Sequence, residues 1–103
     1  MRRFRKTIRE PDTLTRRAPR GPAAEEAVDL HGMTGEEAVR RLRTLIESGS
    51  ARTVLAVHGK GEGVLRARAR ALLRGHPRVT EVRPGEAAGL PGGDGVTWFR
   101  IRR

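Results

Sequence analysis

Residues 53–63 read Thr53-Val54-Leu55-Ala56-Val57-His58-Gly59-Lys60-Gly61-Glu62-Gly63. An apolar run, β-branched at three of its five positions, stops at a histidine and enters a turn with glycine at every second residue. Its length and lack of alternation suit a strand covered on both faces, or a central one. A helix follows the turn: Leu65, Ala69, Leu72 and Leu73 recur at helical spacing, and Gly75 and Pro77 end it. Arg66, Arg68, Arg70 and Arg74 are expected on its outward face. The stretch is therefore a strand, a glycine turn and an amphipathic helix, the core of an α/β unit.

The same unit stands upstream. Ala27 to Leu30 is a short strand candidate ended by His31-Gly32. Thr34 and Glu37 then form a T-x-x-E capping box, in which a hydroxyl and a carboxylate each accept from an otherwise unpaired amide. Ala38, Leu42, Leu45 and Ile46 make the apolar stripe of the helix behind it, and Gly49 is a fitting stop. Downstream, Val79 to Arg83 and Val96 to Ile101 read as strands, separated by a long loop from Pro84 to Gly95. The predicted order is β-α-β-α-β-β. Alternation argues for parallel strands joined by crossovers, with the last strand antiparallel. Two helices cover one face of four strands, so the expected fold is an α/β two-layer sandwich on a mixed four-stranded sheet. Its other face is expected to stay partly open. Trp98 and Phe99 are neighbours on the last strand and so point to opposite faces.

Composition narrows the function. The chain has 103 residues, 22 Lys+Arg against 12 Asp+Glu, a net charge of +10 and no cysteine. Disulfide frameworks, cysteine zinc sites and thiol nucleophiles are excluded. No apolar run approaches the roughly 18–20 residues of a membrane span, and the basic start lacks the apolar stretch of a secretory signal. The expectation is a cytoplasmic protein with an anionic partner and no membrane association. Residues 1–22 hold eight basic and two acidic side chains, more than half of the excess charge. With three prolines and few apolar residues, they read as a mostly disordered basic arm. Residues 23–103 form the folded domain.

Chemistry concentrates at the strand ends. Asp29 and His31 are two apart, so on a strand both face the same way. If the first two strands are parallel, Asp29, His31, His58 and Lys60 converge at one sheet edge, where open α/β sheets bind ligands. In the turn, the amides of Gly59, Gly61 and Gly63, the helix N-terminus and Lys60 suit a phosphate. Arg66 on the first helical turn would add a further contact. The spacing is not that of a P-loop. Glu62 must stand away from the anion for this reading to hold. Asp29 and His31 have the bland alternative of an ion pair and a turn hydrogen bond. His58 has that of satisfying the buried end of its strand.

Three segments carry a family resemblance: Val28-Asp29-Leu30-His31-Gly32, His58 to Gly63, and Gly92-Gly93-Asp94-Gly95-Val96-Thr97. In order and separation they resemble the signatures of the Smr (small MutS-related) domain, over about Ala27 to Ile101, and a stand-alone bacterial type is expected. The resemblance implies a two-layer α/β sandwich like the C-terminal domain of a bacterial translation initiation factor. It also implies nucleic-acid binding, often with endonuclease activity on DNA or RNA. Asp29 and His31 correspond to the acidic and histidine positions of its first motif, and His58 to Gly63 to its glycine motif.

Cleavage of a phosphodiester needs a base, an acid and cations for the phosphoryl charge. The expected roles are His31 as acid or base with Asp29 fixing its tautomer, and His58 as the complementary group or a phosphate ligand. Only Asp29 is a well-placed carboxylate, with Asp94 a second, whereas two-metal nucleases gather several. A metal-independent reaction is favoured, with Mg or Mn assistance as the alternative. The competing functions are a module that binds branched or structured nucleic acid without cutting, and a binder of small phosphorylated metabolites. The net charge and the arm count against the metabolite. Recruitment by the ribosome or by DNA-repair machinery is left open.

Overall fold

The computed structural model describes residues 23–49 and 51–102. The basic arm at 1–22 lies outside the described residues. The first strand, β1 (Glu26–Asp29), leads into α1 (Gly35–Ser48), then β2 (Thr53–Val57) and α2 (Val64–Gly75). They are followed by β3 (Val79–Pro84), a short α3 (Gly85–Ala88), a 3-10 turn (Gly93–Gly95) and β4 (Val96–Ile101). The four strands form one mixed sheet in the order β1-β2-β4-β3. β1 runs parallel to β2, and β4 pairs antiparallel with both β2 and β3. This is the expected α/β two-layer sandwich, with β4 inserted between the two strands that lead into and out of α2.

Local chemistry explains the helices. Thr34 accepts from the Glu37 amide and Glu37 accepts from the Thr34 amide, so the capping box is closed in both directions. Ala38, Leu42, Leu45 and Ile46 are the buried face of α1, and Gly49 ends it in the left-handed region at φ 70°. The main core lies between the helices and one sheet face, where Val28, Leu30, Leu42, Ile46, Val54, Leu73 and Phe99 are fully or almost fully buried.

The other face corrects the sequence reading. The segment from Pro84 to Gly95 is not a plain loop: it forms α3 and the 3-10 turn, and it brings Leu90 onto the sheet. There Leu90, Val96 and Trp98 form a second buried cluster against Leu55, Val57, Ala24 and Ala88. Part of the face expected to be open is thus covered by the β3–β4 connection. Alternation along β2 is the cause, since Val54 and Ala56 enter the main core while Leu55 and Val57 meet the second cluster. Trp98 is 1% exposed, donates from Nε1 to the Ala23 carbonyl, and is flanked by the guanidinium groups of Arg83 and Arg100 at 5.7 and 5.3 Å. It is packed rather than available for stacking on a base.

Two substitutions test these contacts. A Cβ at Gly85 would lie 2.1 Å from the Gly93 carbonyl oxygen and 2.5 Å from Val96 Cγ2. Overpacking of this kind typically costs about 1–3 kcal/mol. Gly85→Ala is therefore expected to lower the urea midpoint and loosen the second cluster, read from Trp98 fluorescence. Thr34→Ala, which opens the cap of α1, is expected to cost about 1 kcal/mol by the same measurement.

Candidate functional site

Parallel pairing places Asp29 opposite Val57, and the Leu30 amide extends the ladder by donating to the Val57 carbonyl at 2.7 Å. The residues that follow each strand, His31 and His58, therefore emerge side by side. A Cβ built on Gly59 would stand 3.7 Å from His31 Cβ. His31, His58, Lys60, Glu62 and Arg66 line one open cleft of about 420 Å³ together with the glycine turn. The convergence expected from the spacing is present, with one refinement: Asp29 does not line the cleft but stands behind His31.

Asp29 Oδ1 accepts from the His31 amide at 3.0 Å and meets His31 Nδ1 at 3.2 Å. A carboxylate oxygen only accepts, so this contact places the proton on Nδ1 and leaves Nε2 with a lone pair in the neutral ring. Both side chains are well exposed, at 74% and 67%. The dyad presents a basic nitrogen to solvent at the strand end.

The turn is built for close approach. Gly59, Gly61 and Gly63 all have positive φ, at 81°, 37° and 87°, a region that side chains rarely tolerate. Gly63 also leaves room for Arg66, whose Nη2 would lie 2.6 Å from a Cβ there. Gly63 is the N-cap of α2 and supplies no side-chain hydrogen bond. Of the helices that start at this edge, α1 is closed by its capping box and α2 leaves its first amides uncovered by a side chain. The 3-10 turn completes the site: the Gly95 carbonyl accepts from the amides of both His58 and Gly59 at 3.0 Å. All three segments that resembled family signatures therefore touch.

Charge at the cleft is nearly balanced. Asp94 Oδ1 lies 3.7 Å from Lys60 Nζ, and Asp94 Oδ2 lies 3.3 Å from Arg66 Nη1. Glu62, as a residue of the turn, is also among those around the cleft. Among the described residues, no group of three His, Asp or Glu side chains comes together that would hold a metal ion. Asp29 and His31 offer two donors, and Asp94 is engaged with two cations.

His58 differs from His31 in its burial and in the partner of its Nε2. It is 3% exposed, with Nδ1 on the Gly59 carbonyl at 3.0 Å and Nε2 on Thr97 Oγ1 at 2.9 Å. Burial pushes its pKa below the ordinary value, and the Arg70 and Arg66 charges push the same way against the raising effect of the Gly59 carbonyl. Arg70, expected on the outward face of α2, is buried and 9% exposed. Its Nη1 and Nη2 donate to Glu86 at 2.9 and 2.8 Å, and its Nε donates to Thr97 at 2.8 Å. This guanidinium holds the Glu86 carboxyl down at about 2. At about 100° per residue, Arg70 stands only about 60° from Leu73 on the helix. The signal for its burial was therefore the edge of the apolar stripe.

A family model for the Smr domain matches residues 28–102. The chain belongs to the Smr domain family. It is 42% identical over 81 residues to the endonuclease MutS2 of Clostridium botulinum (strain 657 / Type Ba4), and 37% identical over 81 residues to that of Clostridium tetani (strain Massachusetts / E88). Each match covers 76% of this chain and 10% of the relative, so the chain spans about a tenth of the length of these curated relatives. The crystal structure of the Smr domain of Thermus thermophilus MutS2 superposes with a TM-score of 0.65 at 34% identity, covering 76% of this chain and 99% of that one. No helix among the described residues is long and apolar enough to cross a membrane.

Acid is expected to destabilise this Smr domain in two stages. His58 binds protons less readily folded than unfolded, so its contribution is complete above about 6.5 and fades as pH falls through the lower folded value. Glu86 adds a second loss from its ordinary 4.5 down to about 2. Urea midpoints measured from pH 7.5 to 3 should hold level down to about 6.5 and fall below it, and Glu86→Gln should flatten the lower part of the curve.

Proposed function

We propose that this Smr domain binds nucleic acid at the cleft between His31 and the Gly59–Gly63 turn and cleaves a phosphodiester bond there. The observation that carries the reading is the Asp29–His31 dyad, exposed with its free nitrogen beside an uncapped helix start. The names of the relatives, endonuclease MutS2, point the same way.

In this reading the α2 amides, Lys60 and Arg66 hold the phosphate and offset the charge that develops on it. Asp29 keeps the His31 proton on Nδ1, so that Nε2 takes the proton of the attacking oxygen. With RNA the nucleophile is the substrate's own 2′-hydroxyl: its oxygen bonds to phosphorus, the bond to the 5′-oxygen breaks, and that oxygen takes a proton from solvent. This route needs no metal. His58 acts as a ligand of the turn rather than as the second acid, because both of its ring nitrogens are engaged inside the protein. A cytoplasmic location and recruitment by ribosome or DNA-repair machinery are compatible with this chemistry.

His31→Ala is expected to lower the cleavage rate by about 10²-fold or more, measured on labelled single-stranded and structured RNA with and without excess chelator. Its binding affinity should change little. Lys60→Ala should weaken binding instead and reduce the slope of log affinity against log salt by about 0.7–0.9. Glu62→Gln, which removes a negative charge from the cleft, should tighten it. Cleavage of DNA that vanishes with chelator would replace the 2′-hydroxyl route by a metal-assisted one. Binding without cutting in every condition would make the domain a non-catalytic nucleic-acid module.

A further inference from the structure

Four side chains from four elements form one continuous hydrogen-bonded chain behind the glycine turn. Glu86 on α3 holds Arg70 on α2 through two parallel hydrogen bonds, and Arg70 Nη2 also donates to the Val96 carbonyl at 3.2 Å. Arg70 Nε reaches Thr97 on β4, Thr97 reaches His58 at the end of β2, and His58 reaches the carbonyl of Gly59. Thr97 is 0% exposed and His58 3%, so water does not compete for these bonds.

The direction of each bond follows from what each group is able to do. Arg70 Nε only donates, so the Thr97 hydroxyl oxygen accepts from it. The hydroxyl proton is then free to go to His58 Nε2, which must carry a lone pair. His58 Nδ1 must donate, because its partner is a carbonyl. The chain of donors therefore runs one way, from the fixed charge of Arg70 to the first carbonyl of the turn, and permits a single neutral tautomer of His58.

We propose that Thr97, Arg70 and Glu86 are positioning residues that lock His58 in its Nδ1–H form and thereby hold the Gly59–Gly63 turn in its anion-binding shape. The inference rests on the reading of that turn as the phosphate cradle. It gives a role to a charged helix residue that touches neither the cleft nor the dyad. It also explains why the β3–β4 connection is structured: α3 presents Glu86, and the Gly95 carbonyl holds the His58 and Gly59 amides from the other side. The backbone of Gly59 is thus held at its amide by Gly95 and at its carbonyl by His58. The four residues beyond it, which carry positive φ at Gly61 and Gly63, start from an anchored point.

The test is Thr97→Val in the full chain, with Thr97→Ser as the conservative control. Valine keeps the shape and removes the hydroxyl, whereas serine keeps the hydroxyl. Imidazole nitrogen spectra at pH 7.5 are expected to show His58 protonated on Nδ1 alone in the parent and in Thr97→Ser, and mixed in Thr97→Val. Amide resonances of Gly59, Gly61 and Gly63 should shift in Thr97→Val only, and affinity for a labelled 12-nucleotide single-stranded RNA should weaken by about 10-fold. Should Thr97→Val fail to fold by circular dichroism, Glu86→Gln, whose side chain is half exposed, is expected to move the same signals in the same direction. A single tautomer, unmoved glycine amides and unchanged affinity in the folded variant would overturn the proposal. If the spectra respond but the parent protein binds no RNA or DNA, the phosphate reading falls and the lock stands.

Discussion

The parallel ladder between β1 and β2 is the constraint on which the site depends. Each strand is followed within two residues by a histidine, and only parallel pairing puts both on one edge of the sheet. The register sets Asp29 beside Val57, and the Leu30 amide adds one more bond to the ladder. This sets His31 beside the start of the glycine turn, where a Cβ on Gly59 would meet His31 Cβ at 3.7 Å. Antiparallel pairing of the same two strands would set the carboxylate–imidazole pair and the lysine-bearing turn at opposite poles. The crossover helix α1 makes the parallel choice, because a helix buried along Leu42 and Ile46 must return the chain to the starting side of the sheet.

The two histidines of the cleft show how one edge yields two chemistries. His31 is exposed and bonded on one nitrogen by a carboxylate, which leaves its other nitrogen available. His58 is buried, and both nitrogens are engaged. Burial penalises the imidazolium, and the nearby arginine charges add to that penalty. The first ring is suited to moving a proton and the second to holding a shape. Their separation in depth comes from the sheet: His58 is followed by backbone held under Gly95, while His31 opens onto a turn at the surface.

Burying Arg70 is costly unless its guanidinium is fully paired. The structure pairs four of its five N–H groups, two with a carboxylate, one with a hydroxyl and one with a backbone carbonyl. These partners come from α3 and β4, which links the covering of the second sheet face to the order of the cleft. The same β3–β4 connection that carries Leu90 into the second cluster also carries Glu86 and Asp94 to the cations of α2.

Much of this was legible in the residues. The two apolar stripes, the capping box, the uninterrupted strand at Thr53 to Val57 and the D-x-H and glycine-turn spacings determine the elements, their order and the edge that bears the chemistry. Periodicity and capping act within a few residues, so a linear chain displays them. The helix inside Pro84–Gly95, the burial of Trp98 on a second core, the inward turn of Arg70 and the Asp94 contacts with Lys60 and Arg66 were decided by tertiary structure. Each depends on a partner 16 or more residues away, and a charged or glycine-rich segment carries no local mark of the partner that will bury or hold it.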